Sequence, residues 1–166
     1  LIIVGGGPAG LTAGVYARTR NLSTLIVEAE QAGGQLAWLY PTKSVYDFPS
    51  HIAIEGEELA RLFVEHARVS GCEIHEGEIV EDVRRGPTGF EVRTAKDTYQ
   101  GRAVVIAIGN GVFNPRVLEI PGEAEHEGRG VYYRVRDRRE HEDDDRADVE
   151  VGGRSPDARP QARGEI

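Results

Sequence analysis

Short runs of apolar residues, separated by glycine-rich turns, dominate the first two thirds of this chain. The runs over residues 1–4, 25–27 and 103–108 are continuous rather than alternating. Continuous runs are typical of parallel strands that are covered on both faces, because neither face meets water. Residues 11–20 are small and apolar, as expected of a helix that packs closely on a sheet. The pattern therefore predicts a β-α-β unit and a further parallel strand at 103–108.

A second helix and an antiparallel unit are predicted between these strands. Residues 57–70 carry apolar side chains at helical spacing, and Gly71 follows the last of them. The predicted buried face of this helix consists of Leu59, Leu62, Phe63, His66 and Ala67. Over residues 72–100, short alternating segments flank the Gly-Pro-Thr-Gly turn at 86–89. This alternation predicts an antiparallel hairpin or small meander.

The remaining segments lack a clear period. Residues 29–56 contain two successive glycines and two prolines, so we predict a long irregular loop. An irregular loop of that length inside a compact domain is usually functional. Residues 131–133 predict a last strand, whereas residues 137–166 are largely charged and carry few apolar side chains. Such a tail buries too little surface to offset its ordering entropy, so we expect it to be disordered.

Composition and charge exclude several classes of function. The 166 residues include 28 Asp and Glu against 20 Lys and Arg, a net charge of −8. Nucleic-acid binding is therefore not expected, because its footprint is basic. The single cysteine, Cys72, excludes an internal disulfide and a Cys-x-x-Cys site, and we expect it to be a small buried hydrophobe. Without a membrane-length apolar run or a signal-peptide pattern, a cytoplasmic protein is expected.

The hexapeptide Gly5-Gly6-Gly7-Pro8-Ala9-Gly10 carries the clearest chemical signal, because it has the spacing Gly-x-Gly-x-x-Gly. In a dinucleotide site, the first glycine allows the tight turn out of a strand, and the second lets a pyrophosphate approach the backbone. The third lets the helix lie close to the strand. The helix then directs its free N–H groups at the phosphates.

Glu28 strengthens this interpretation, because it ends the second predicted strand 18 residues after Gly10. An acid at that place accepts hydrogen bonds from ribose hydroxyls, and it repels a 2′-phosphate. The pattern therefore favours FAD or NAD over NADP in this site. The alternative is a packing turn with an incidental surface glutamate.

The wider pattern resembles the FAD domain of the two-dinucleotide-binding-domain flavoproteins, and within them the thioredoxin-reductase-like ferredoxin–NADP reductases. The resemblance spans residues 1–136 and rests on the segments 34–41, 46–49, 112–116 and 121–133. The absence of Cys-x-x-Cys separates the chain from thioredoxin reductases proper. The implied fold is α/β: a Rossmann-like FAD-binding domain, with a parallel sheet and a small antiparallel β-meander insertion.

The resemblance also implies further contacts to FAD. It places Gln35 at the flavin ring, Tyr40 against the isoalloxazine, Val80 beside the adenine and Phe113 near the flavin, and it adds Leu36 to the cofactor-binding residues. An aromatic face packs well on a flat ring, and an amide satisfies ring polar atoms as donor and acceptor. The alternatives are that Gln35 is a polar loop residue and that Tyr40, Val80 and Phe113 belong to the core.

By resemblance, the whole protein is a relay in which NADPH reduces the flavin and the flavin passes electrons to ferredoxin or flavodoxin. The flavin performs that chemistry, so no side chain is expected to act as a catalytic acid or base. A homodimer is expected for the intact family. The five histidines are scattered without ligand spacing, so no metal site is expected.

The NADP-binding domain of such a protein should begin after residues 131–136. At the corresponding place, residues 149–156 hold Arg154 where a glycine is required and Pro156 in the helix that should follow. We therefore expect an FAD-binding part at 1–136 without the NADP(H) site, in a chain that departs from its family near residues 140–150 through a frameshift or truncation. The alternatives are a non-catalytic dinucleotide-binding remnant, a thioredoxin-reductase-like fragment and an NAD-binding regulatory module.

Overall fold

A computed structural model describes residues 1–111, 120–127 and 131–133. Four parallel strands form its main sheet, in the order β5-β2-β1-β9. They are β1 (Ile2–Val4), β2 (Leu25–Val27), β5 (Glu73–His75) and β9 (Val104–Ile106). In register, Ile3 of β1 lies between Ile26 of β2 and Val105 of β9. The predicted β-α-β unit and the parallel strand after the meander are thus confirmed.

Two long helices cover one face of this sheet, and a meander covers the other. The helices are α1 (Pro8–Thr19) and α3 (Gly56–Val69), and the meander consists of β6 (Val80–Arg85), β7 (Phe90–Thr94) and β8 (Thr98–Gly101). The core on the helix side consists of Ile3, Leu11, Ile26, Ala67 and Cys72. The core on the meander side consists of Ile2, Val4, Val27 and Val92. Successive residues of β1 therefore serve opposite layers, as strand geometry requires.

The meander is antiparallel throughout, as predicted. Strand β7 pairs with β6 on one side and with β8 on the other. The N–H of Gly86 donates to the carbonyl of Gly89 at 2.8 Å, which closes the predicted turn. Together with the parallel sheet, this confirms the predicted fold class.

The structure corrects four predictions, which concern helix α3, residues 29–56, strand β5 and residues 131–133. His66 is exposed, because the buried stripe of α3 runs instead through Gly56, Leu59, Ala60 and Ala67. Residues 29–56 are not wholly irregular, since they include α2 (Gln35–Trp38), β3 (Ser44–Val45) and β4 (Ile54–Glu55). Strand β5 belongs to the parallel sheet and not to the meander.

The fourth correction concerns the predicted last strand. Val131 makes a single parallel bridge to Glu127, just after α4 (Glu123–His126), and residues 131–133 form no strand. The tail predicted to be disordered at 137–166 lies outside the described residues. Within the part of the chain that the structure describes, no helix has the length and apolar character needed to cross a membrane.

Candidate functional site

The glycine loop occupies the turn between β1 and α1, and two of its glycines have no room for a side chain. Gly5 has φ +105°, and a Cβ there would lie 2.4 Å from the carbonyl oxygen of Ala107. A Cβ on Gly10 would lie 1.9 Å from the carbonyl oxygen of Gly5. Both glycines are therefore required by the close approach of strand, loop and helix. Their surroundings match the roles expected of the first and third glycine of the motif.

Gly7 differs, because the space beside it is open. A Cβ on Gly7 would have one heavy atom within 4 Å outside its immediate neighbours, the Cα of Gly34 at 3.9 Å. Gly7 is also the N-cap of α1, where no side chain caps the helix and no acid lies in the first turn. The amides of Ala9 and Gly10, after Pro8, belong to the turn that lacks intrahelical acceptors. This backbone fits an anionic group such as a pyrophosphate.

Glu28 lies directly after β2, and its carboxylate faces the glycine loop. One oxygen accepts the N–H of Gly6 at 2.5 Å, and the other accepts the N–H of Glu30 at 2.9 Å. The residue is half-buried. Its acidic group is therefore held beside the loop at the carboxyl end of the parallel strands, which is where ligands bind in open α/β sheets.

A second glycine turn closes on the first. The N–H of Gly33 donates to the carbonyl of Gly6 at 2.8 Å. Gly34 has φ +61° and is the N-cap of α2. Helix α2 therefore begins against the glycine loop, and it carries Gln35, which is exposed, and Leu36, which is half-buried. The structure thus brings together Gly5 to Gly10, Glu28, Gln35 and Leu36.

The other predicted contacts are less tightly gathered. Tyr40 is 46% exposed, and the ammonium of Lys43 lies 5.4 Å from its ring centroid. Val80 is the first residue of β6 and packs against the core on the meander side. Phe113 lies outside the described residues. The contacts of Gln35, Tyr40, Val80 and Phe113 to a flavin or an adenine remain predictions.

Sequence reasoning missed the loop at 75–78, which holds Glu28 from the other side. The N–H of Glu28 donates to the carbonyl of His75 at 2.8 Å, and the N–H of Glu78 donates to the carbonyl of Glu28 at 2.9 Å. The carboxylate of Glu76 accepts the N–H of Ala32 at 2.7 Å. The available signal was a Glu-Gly-Glu triplet just after a short strand, which is weak without the knowledge that this strand is parallel to β2.

Burial and charge shift the pKa of two side chains near this region. Burial, then the hydrogen bond to Glu78 and nearby carboxylates, raise the pKa of Tyr99 to about 12. Burial raises the pKa of the Cys72 thiol, against a smaller opposing effect of Arg18. Over the described ranges, no group of three His, Cys, Asp or Glu side chains is arranged to hold a metal ion.

Comparison with known proteins places this chain in a family. A model of the pyridine nucleotide-disulphide oxidoreductases matches residues 1–153. The chain belongs to the pyridine nucleotide-disulphide oxidoreductase family. It is 41% identical over 138 residues to the ferredoxin–NADP reductase of Pediococcus pentosaceus, which covers 82% of this chain and 42% of that protein. It is also 41% identical over 142 residues to the ferredoxin–NADP reductase of Thermus thermophilus. That match covers 84% of this chain and 42% of the relative.

Solved structures of thioredoxin reductases have this fold. The thioredoxin reductase of T. acidophilum superposes with a TM-score of 0.66 at 35% identity, over 78% of this chain and 40% of that one. The thioredoxin reductase of Lactococcus lactis superposes with a TM-score of 0.65 at 31% identity, with the same coverage of both chains. The chain therefore spans about 42% of the length of the curated relatives it matches. FAD is the cofactor of these relatives, and NADP(H) is their co-substrate.

Proposed function

We propose that this chain is the FAD-binding part of a flavin-dependent NAD(P)H oxidoreductase of the ferredoxin–NADP reductase type. The observation that carries the proposal is the open backbone at Gly7, with the Glu28 carboxylate held against the same loop. An open, unsatisfied helix N-terminus suits the pyrophosphate, and the carboxylate suits the ribose hydroxyls. Both lie at the carboxyl edge of a parallel sheet.

The chain's own residues bind and orient the cofactor. Gly7, Ala9 and Gly10 offer backbone N–H groups to the pyrophosphate, and Glu28 accepts hydrogen bonds from the adenosine ribose. Gln35 and Leu36 begin a helix against the glycine loop, which puts them in reach of the part of the dinucleotide beyond the pyrophosphate. Tyr40 supplies an exposed aromatic face for the flavin ring.

When bound, FAD supplies the hydride and electron transfer chemistry, and the protein supplies position and electrostatics. NADP(H) is proposed as the co-substrate, bound outside residues 1–136, because Glu28 repels a 2′-phosphate in this site. Ferredoxin or flavodoxin is proposed as the electron carrier, as the names of the relatives suggest for the former. A homodimer in the cytoplasm is proposed for the intact protein.

The first test is the cofactor content of the full 166-residue chain. The purified protein should be yellow, and the flavin released by denaturation should run as FAD in chromatography. If the protein is purified without flavin, titration with FAD should quench flavin fluorescence to saturation, and NAD should not compete. A folded protein that binds neither dinucleotide, or that binds NAD in preference to FAD, would overturn the proposal.

A further inference from the structure

A largely buried carboxylate joins the meander to the dinucleotide loop. The side chain of Glu78 is 10% exposed. Its Oε2 accepts a hydrogen bond from the Tyr99 hydroxyl at 2.8 Å and another from the Thr94 hydroxyl at 3.1 Å. Nδ1 of His75 lies 2.8 Å from the same Tyr99 hydroxyl. Because hydrogen bonds to a charged carboxylate are strong, these partners hold Glu78 in one position.

The backbone of Glu78 lies between two elements of the candidate site. Its N–H donates to the carbonyl of Glu28 at 2.9 Å, so it fixes the residue proposed to bind the ribose. Two residues further along the chain, Val80 opens β6 at the place proposed for the adenine. A shift of Glu78 would therefore move the ribose acceptor and the adenine contact together.

We propose that Glu78, held by Tyr99 and Thr94, is the positioning residue for the adenosine half of the dinucleotide site. Glu78 acts through the backbone of Glu28 and through the start of β6. The proposal rests on the proposed FAD site. It assigns a role to the meander, whose strands β7 and β8 supply the two hydroxyl donors. Neither donor lies on the glycine loop.

A purely structural role would have a different signature from a positioning role. Loss of a structural contact lowers stability and affects every ligand of the folded protein alike. Loss of a positioning contact weakens the ligands that carry adenosine and leaves the others unchanged. FAD and FMN separate these cases, because FMN has the flavin and one phosphate but lacks the adenosine.

The experiment measures the dissociation constants of FAD and FMN for the full chain and for Tyr99→Phe and Glu78→Gln. Tyr99→Phe removes the hydroxyl donor, and Glu78→Gln replaces the charged acceptor with a neutral amide of the same size. We expect the affinity for FAD to fall about tenfold or more, as for a lost bond to a charged group. The affinity for FMN should change by less than about twofold. Gln100→Ala is the control, because Gln100 neighbours Tyr99 on β8 but donates its exposed hydrogen bond to the carboxylate of Glu91.

The outcomes are distinguishable. If the unaltered chain does not bind FAD, the proposed function itself fails. If it binds FAD and both variants keep the FAD affinity, or lose FAD and FMN equally, the positioning role is wrong. Thermal unfolding of each variant accompanies the titrations, and Thr94→Val provides a second test should Glu78→Gln fail to fold.

Discussion

A Cβ atom on Gly34 would lie 2.8 Å from the Cα of Gly7, so the two glycine turns of this chain meet backbone to backbone. The hydrogen bond from the Gly33 N–H to the Gly6 carbonyl locks the same contact. The turn before α2 is therefore part of the dinucleotide loop, although the two are remote in sequence. At Gly34 only glycine allows this approach, while the space beside Gly7 stays open.

Gly7→Ala should separate binding from stability. The new methyl group would stand in the open space beside Gly7, where we propose that the pyrophosphate approaches. We expect a loss of at least about tenfold in FAD affinity. The free energy of unfolding should change by less than about 1 kcal/mol, since the weaker N-cap is partly offset by lower unfolded-state entropy. Fluorescence titration and urea unfolding measure the two quantities.

Gly86→Ala is the matched control for this substitution. A Cβ on Gly86 would also meet its nearest atom at 3.9 Å, the carbonyl oxygen of Gly89, but it lies in the meander turn. FAD affinity should be unchanged in this variant. Equal losses in Gly7→Ala and Gly86→Ala would contradict a pyrophosphate site at Gly7.

Glu28→Gln should weaken FAD binding because both carboxylate oxygens are already used. Each accepts a backbone N–H, from Gly6 and from Glu30. Glutamine has one carbonyl oxygen, so its amide group would face one of these donors with a donor of its own. We expect FAD affinity to fall about tenfold.

The same variant should tolerate a 2′-phosphate better than the unaltered chain. Competition by ADP and by 2′-phosphorylated ADP measures this preference. The ratio of the two affinities should move towards one in Glu28→Gln, since the repelling charge is gone. An unchanged ratio would show that Glu28 does not face the ribose.

The parallel sheet could be predicted from sequence where its strands are wholly apolar. Ile2 to Val4 and Leu25 to Val27 serve the helices and the meander at once, so their runs are continuous. The glycine loop could be predicted equally well, because the close approach of strand and helix excludes every residue other than glycine at Gly5 and Gly10. These signals are local and need no knowledge of distant segments.

Features that depend on distant partners escaped prediction. Strand β5 carries Ile74 between two polar residues, and Ile74 alone of the three packs on the core, so no apolar run marks it. Helix α2 packs tightly against the start of α3, since a Cβ on Gly56 would lie 3.0 Å from the carbonyl oxygen of Leu36. The partners of Glu78 come from two other strands, which the sequence pattern does not place beside it.

Cys72 offers a simple test of the core. The residue is 8% exposed, and its sulfur would lie 3.0 Å from a Cβ on Gly14 of α1. Burial raises the pKa of this thiol, and the thiolate is the reactive form. A disulfide reagent should therefore react slowly with the native chain and at once, with one equivalent, in urea. Since the chain has one cysteine, a fast native reaction would show that the α1 and α3 layer is not closed.

The pH dependence of stability should report the Tyr99 hydroxyl. Its pKa is raised from 10.0 to about 12, first by burial and then by the hydrogen bond to Glu78. The fold favours the protonated phenol, so the stabilisation is complete below pH 10 and is lost as pH rises towards 12. The difference in unfolding free energy between the unaltered chain and Tyr99→Phe should therefore narrow across that interval.

The titration of the Tyr99 hydroxyl can be measured directly by tyrosinate absorbance. Subtracting the absorbance of Tyr99→Phe from that of the unaltered chain at each pH leaves the signal of this hydroxyl alone. Its midpoint should lie near 12 in the native chain and near 10 in urea. A native midpoint near 10 would mean that the carboxylate of Glu78 does not hold the phenol.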